Sequence, residues 1–165
     1  YADTWFLLNL YDKQKLELEN VTIKTGAGLS YEGVIKNIIR FRQRLIAQKQ
    51  ATELFGVESG SKLEAVLKSI DQTFGQKPVY ESLEERAAHL LYFVIKDHPF
   101  VDGNKRIGSL LFLLYLIENH IFYNRRGERK INNTALVALA LLIAESKPHQ
   151  KDVMVKLVAN LINKK

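Results

Sequence analysis

Apolar residues recur along this chain at the three-and-four spacing of an amphipathic helix through most of its length. Val34, Ile35, Ile38, Ile39, Phe41, Leu45 and Ile46 follow Ser30, a residue type suited to capping a helix start. Ser61 and Glu64 have the spacing of a capping box ahead of Leu63, Val66, Leu67 and Ile70. Ser82 and Glu85 repeat that spacing ahead of Leu83, Ala87, Leu90, Leu91, Val94 and Ile95. Asn133 is placed to cap a helix reaching Glu145, and a last helix carrying Val153, Val155, Leu157, Val158 and Leu161 follows Pro148. The run from Ile107 to Ile117 is apolar on nearly every face, which places it at the centre of a bundle. The pattern predicts an all-α fold of about six or seven helices.

Two segments break the periodicity. Residues 72–81, with Thr73, Phe74, Gly75, Pro78, Val79 and Tyr80, mix strand formers with turn residues. They suit a short hairpin and an irregular connection equally well. Residues 124–130 form a basic turn that reads as a solvated connection.

Composition narrows the setting. At 165 residues the chain fits one domain with a substantial core. It has no cysteine, which excludes a disulfide scaffold and a thiolate zinc site and agrees with a cytoplasmic setting. The run 107–117 is too short to cross a bilayer, so no membrane role is expected. The N-terminal Tyr1-Ala-Asp-Thr-Trp5 lacks the basic head of a signal peptide, and without an initiator methionine the chain reads as a piece of a longer protein. The net charge of +6 is spread out, with modest clusters at Arg40–Arg44, Arg125–Lys130 and Lys164–Lys165. This reads as a solvated basic surface rather than a nucleic-acid site.

The densest chemistry lies in His98-Pro-Phe-Val-Asp-Gly-Asn-Lys-Arg106, between two apolar helical segments. Pro99 disfavours helix at the residue before it, so the upstream helix should stop near Lys96 or Asp97. The next should start near Gly103 or Asn104, with its first N–H groups facing the loop as an anion site. Gly103 would let a phosphate approach the backbone, and Lys105 and Arg106 supply cations, the arginine with a forked geometry. Asp102 is a hard-oxygen ligand of the kind Mg²⁺ takes alongside phosphates and water. Histidine is the side chain whose ordinary titration lies nearest neutrality, which suits His98 to accepting a hydroxyl proton. Taken singly, Asp102 as an N-cap and Asn104 as a turn residue are equally ordinary readings, and Phe100 belongs to the core. Gly103–Gly108 has the glycine spacing of a P-loop but carries Ser109 in place of its lysine. Pro99 breaks an EF-hand, and His89, His98, His120 and His149 lack zinc-binding spacing.

The same stretch resembles the signature of the Fic/Doc family, H-x-F-x-[D/E]-G-N-G-R-x-x-R, in His98, Phe100, Asp102, Gly103, Asn104 and Arg106, with proline in the common second place. The resemblance implies an all-helical Fic-type bundle with a short β-hairpin flap. It divides the chain into a core over 61–165 and an N-terminal helical extension over 1–60 packed upon it. It also implies transfer of a phosphate-containing group from ATP or another nucleotide to a protein hydroxyl. His98 would then be the general base, Asp102 the Mg²⁺ ligand, and Gly103, Asn104, Lys105 and Arg106 the phosphate-holding set. Thr73, Phe74 and Gly75 fall where the family's flap pairs with an extended target peptide.

Two departures carry information. Lys105 replaces the second glycine of the motif, and Ser109 stands where AMP-transferring members have a second arginine that orients the γ-phosphate. The Asn-Lys-Arg variant is similar to the Doc branch, the death-on-curing toxins, which transfer the terminal phosphate. Phosphorylation is therefore the expectation, ahead of AMP transfer and of a non-catalytic helical interaction or nucleic-acid-binding module. The family's inhibitory signature, [S/T]-x-x-x-E-[G/N], is unmatched. Glu19-Asn20, Glu32-Gly33 and Glu118-Asn119 are preceded at the hydroxyl position by Lys15, Gly28 and Leu114. Control is thus expected from an antitoxin or other regulatory partner, or from sequence outside this chain.

Overall fold

The computed structural model describes residues 23–24 and 28–163. The N-terminal pentapeptide, the Glu19-Asn20 match and the Lys164–Lys165 cluster lie outside the described residues. Within them the order is β1 (Ile23–Lys24), β2 (Gly28–Leu29), α1 (Tyr31–Ala47), α2 (Lys62–Ile70), β3 (Thr73–Phe74), β4 (Lys77–Pro78), α3 (Leu83–Asp97), α4 (Asn104–Glu118), α5 (Asn133–Glu145), a 3₁₀ turn (Pro148–Gln150) and α6 (Lys151–Ile162). The strands pair as two short antiparallel hairpins, β1 with β2 and β3 with β4. The fold is a helical bundle with a small hairpin on it, as the periodicity predicts.

The helix α4 is the axis of this bundle. Every residue from Ile107 to Leu116 is buried, so it has no polar face. The neighbouring α3 packs along it and also meets α2, α5 and α6. Burial extends to the Tyr115 hydroxyl, whose pKa is pushed up to about 12, chiefly by desolvation. A centre of this kind fixes where the two helix ends flanking the polar loop can lie.

Side-chain capping sets the start of three of the six described α-helices, with corrections in detail. The Ser30 hydroxyl accepts from Gly33 N at 3.1 Å, and the Ser82 hydroxyl accepts from Glu85 N at 3.0 Å. Ser61 occupies the N-cap of α2 but makes no side-chain cap bond, so the expected capping box is not formed there. The cap of α5 is Asn132 rather than Asn133, accepting from Ala135 N at 2.8 Å. Asparagine at either position satisfies the residue-type rule; the helix takes the one whose backbone is extended.

Residues 48–61, between α1 and α2, are not helical. Phe55 within them is fully buried and meets Phe41 of α1 edge to face at 5.3 Å. This segment lies against the polar loop.

Candidate active site

The ends of α3 and α4 create the site. α3 stops at Asp97, and His98 takes the left-handed conformation, φ 50 and ψ 60. Glycine or asparagine usually occupies such a position; a histidine there costs about 1–2 kcal/mol. Strain of that size at an exposed residue points to a side chain retained for what it does. Five residues on, Gly103 is again left-handed at φ 89 and stands at the N-cap of α4 with no side chain to cap it. Glycine is required twice over at this point: a Cβ would lie 2.3 Å from Phe55 Cε2, and the backbone angle disfavours any other residue. The first intrahelical bond of α4 runs from Ile107 N to Gly103 O at 2.8 Å, which leaves the preceding amides of the first turn without helical partners.

Asn104 closes the loop upon itself. Its Oδ1 accepts from Phe100 N at 3.0 Å and its Nδ2 donates to Phe100 O at 2.9 Å. Both backbone groups of a buried residue are thus satisfied by one amide. Nδ2 also lies 3.4 Å from His98 Nδ1, a long contact that steers the imidazole. Asn104, expected from sequence as a phosphate contact, lines the cavity and also braces the loop from within.

A second strand of backbone supports the loop from outside. Gly56 N donates to Asp102 O at 3.0 Å, Val101 N to Val57 O at 2.8 Å and Ser59 N to Pro99 O at 2.8 Å. Arg42 on α1 holds the Phe55 carbonyl at 3.1 Å. Arg106 Nη1 donates to Gln50 O at 2.8 Å, and its guanidinium lies over the Phe55 ring at 4.7 Å. Sequence reasoning missed Arg42, Gln50, Phe55 and Gly56. No sequence signal marked them, because Gln50 and Gly56 act through backbone bonds, Arg42 reaches a backbone carbonyl and Phe55 packs against a residue distant in sequence.

His98, Asp102, Gly103, Asn104, Lys105 and Arg106 line one cavity of about 410 Å³. Ile95, Val101 and Ala144 complete its wall. Lys96 holds Ala144 in place by donating to the carbonyls of Ala144 and Ser146 at the end of α5. Asp102 and Lys105 are exposed on this cavity. The donor set fits a nucleotide phosphate: uncapped helix amides, a glycine and an exposed cation, with no acidic residue in the first turn of α4. It also fits Mg²⁺ in its usual phosphate-bound form. The described residues contain no group of three or more His, Asp or Glu side chains able to cage a metal, so Asp102 would be one protein ligand beside phosphate and water oxygens. Ser109 is 4% exposed, with its hydroxyl donating to Lys105 O at 2.9 Å, and this position sends no cation into the cavity.

The hairpin is a separate feature. Thr73 and Phe74 form β3, and Gly75 and Gln76 make the two-residue turn, both with positive φ (59 and 69), as a type I′ turn requires. Phe74 is 85% exposed, and none of Thr73, Phe74 and Gly75 lines the cavity.

A model of the Fic/DOC family matches residues 29–116. The matched span includes α1, the supporting segment, the hairpin and the motif, and it ends within α4. No curated protein and no solved structure gave a match. The members of this family are commonly nucleotide-using transferases that act on proteins. The match covers more than half of the 165 residues, and the chain belongs to the Fic/DOC family.

Proposed function

We propose that the chain is a Doc-like phosphotransferase, moving the terminal phosphate of ATP or another nucleotide to a serine, threonine or tyrosine hydroxyl of a protein. The observation that carries this reading is the single cavity shared by His98, Asp102, Lys105 and the uncapped start of α4. His98 takes the proton from the attacking hydroxyl. The α4 amides and Lys105 hold the phosphate oxygens, and their charge stabilises what builds up during transfer. Asp102 would hold Mg²⁺, which when bound would further neutralise phosphate charge. The exposed edge of β3 aligns the target as an added strand, with backbone bonds fixing its depth.

The buried Ser109 favours phosphate transfer over AMP transfer, because no second cation is available there to turn the nucleotide for attack at its α-phosphate. A regulatory partner, an antitoxin in a Doc-like system, supplies the control that no internal glutamate signature provides. The test is a lysate incubated with the chain, Mg²⁺ and ATP labelled at either the γ- or the α-phosphate. Label from γ-ATP on a protein, with a mass gain of one phosphate, is expected. Label arriving only from α-ATP would replace this reading with AMP transfer.

A further inference from the structure

Arg106 is the motif residue whose surroundings differ most from those of a free phosphate ligand. Its Nη1 is committed to the Gln50 carbonyl at 2.8 Å, and its guanidinium covers the Phe55 ring at 4.7 Å. Phe55 is fully buried, and its ring fills the space that a Cβ on Gly103 would take. Arg106 therefore presses on the residue that sets the height of Gly103. Arg42 holds the carbonyl of Phe55 from α1, and Phe41 meets the ring edge-on. Lys105, one residue earlier, is exposed on the cavity. The two adjacent cations face different tasks.

We propose that Arg106 is a positioning residue: it clamps the 50–59 segment beneath Gly103, so fixing the first turn of α4, and Lys105 is the cation that meets phosphate. The clamp works through a planar, forked side chain. One edge donates to a carbonyl while the face covers an aromatic ring, a combination that lysine cannot reproduce. The three backbone bonds between 56–59 and 99–102 transmit this placement along the loop as far as Pro99, next to His98. The catalytic consequence rests on the phosphotransfer proposed above; the clamp does not.

The experiment compares R106K and K105M with the parent by amide hydrogen exchange, thermal midpoint, Mg-ATP affinity and the split between kcat and KM. R106K should speed exchange at Gly56, Ser59 and Val101, whose N–H groups make the three ladder bonds, by about tenfold or more. It should lower the thermal midpoint by several degrees and reduce kcat, with Mg-ATP affinity changed less than about twofold. K105M should leave exchange and midpoint at parent values and weaken Mg-ATP binding about tenfold. F55L should mimic R106K, and the F55L/R106K double variant should be little worse than either, as expected of residues acting through one contact. Parent-like exchange and melting in R106K, with Mg-ATP affinity reduced tenfold, would make Arg106 a phosphate ligand and overturn the clamp. A parent chain that binds no Mg-ATP sinks the proposed function, and the exchange and melting comparison still decides the clamp.

Discussion

The motif loop and the flap hairpin both join helices, and both turn on a glycine in the left-handed region, Gly103 at φ 89 and Gly75 at φ 59. Where a Cβ on Gly103 would lie there is no spare volume: Phe55 fills it, Asn104 braces the amide and carbonyl of Phe100, and a second backbone segment pairs alongside. A Cβ on Gly75 would meet no described atom within 4 Å beyond its chain neighbours. One loop is fixed by tertiary contacts that leave a single arrangement; the other is fixed by turn chemistry and is otherwise open to solvent. The contrast suits the proposed division of work. A phosphate site needs donors held in place before the ligand arrives, whereas a strand edge that receives varied targets needs unpaired backbone and freedom to adjust.

The largest effect expected from this contrast is on activity. H98A should lower transfer by about 10²–10⁴-fold, the usual range for loss of a general base, while melting stays close to the parent because the side chain is exposed. F74S, on the flap, should slow transfer to a protein target without altering Mg-ATP affinity or melting, since Phe74 is 85% exposed. Initial rates with labelled ATP, beside thermal melts, check both. Parent-like transfer by H98A would remove the histidine from the chemistry altogether.

Next in size is the pair of glycine substitutions. G75A meets only the backbone penalty, about 1–2 kcal/mol, partly offset by a less flexible unfolded chain. G103A adds a 2.3 Å approach to a buried ring, and about 3 kcal/mol or more of stability should be lost. Urea denaturation of both variants reads the difference directly. Equal losses would mean that Phe55 yields, and that the motif loop is no better fixed than the flap.

The brace comes third. Removing the Asn104 side chain in N104A leaves the backbone N–H and carbonyl of the buried Phe100 without partners, at a cost of about 1–3 kcal/mol. N104D keeps an acceptor for Phe100 N but sets a carboxylate oxygen against Phe100 O, so it should recover only part of the loss. The order of the two midpoints tests whether both halves of the amide matter.

How much of this could be read from the residues alone follows the same line between local and tertiary causes. Helical periods, the stop before Pro99 and the start at Asn104 were legible, since each follows from the residue's own backbone preference or from burial at fixed spacing. So were the chemical types gathered in the motif, whereas residues 72–81 left a hairpin and an irregular connection equally open until the structure showed the turn at Gly75-Gln76. What was not legible is which of the gathered residues does structural work. Nothing in the letters around Asn104 says that its amide turns back to Phe100, or that Arg106 reaches a carbonyl at residue 50. The segment 48–61 read as part of a helical extension because its role lies in backbone bonds to a loop distant in sequence. The missing capping bond at Ser61 and the one-residue shift from Asn133 to Asn132 are both set by local backbone angle.

The smallest prediction concerns a place where the flap is anchored to α3. Tyr80, just past β4, stacks on His89 of α3 at 3.7 Å, and Arg86 Nε donates to the Tyr80 carbonyl at 2.9 Å. The His89 Nδ1 lies 2.8 Å from Glu85 O; since a carbonyl only accepts, Nδ1 carries the proton. Desolvation beneath Tyr80 is the largest cause lowering the His89 pKa below its ordinary value, and Lys151 on α6 adds to it. The Glu85 carbonyl and the carboxylates of Glu85 and Asp152 pull the other way and are outweighed. A histidine depressed in the folded state binds its proton first when unfolded. The stability it contributes is whole above the ordinary imidazole pKa and declines as pH falls through the lower folded value. The thermal midpoint of the parent should therefore fall more steeply than that of H89Q between pH 7.5 and 5, and exchange of flap amides should quicken over the same range. Exchange at Gly56 and Val101 should not follow, since the motif loop draws its support from Phe55, Asn104 and Arg106 instead. A matched acceleration in both loops would show that the two regions are one cooperative unit and dissolve the contrast between them.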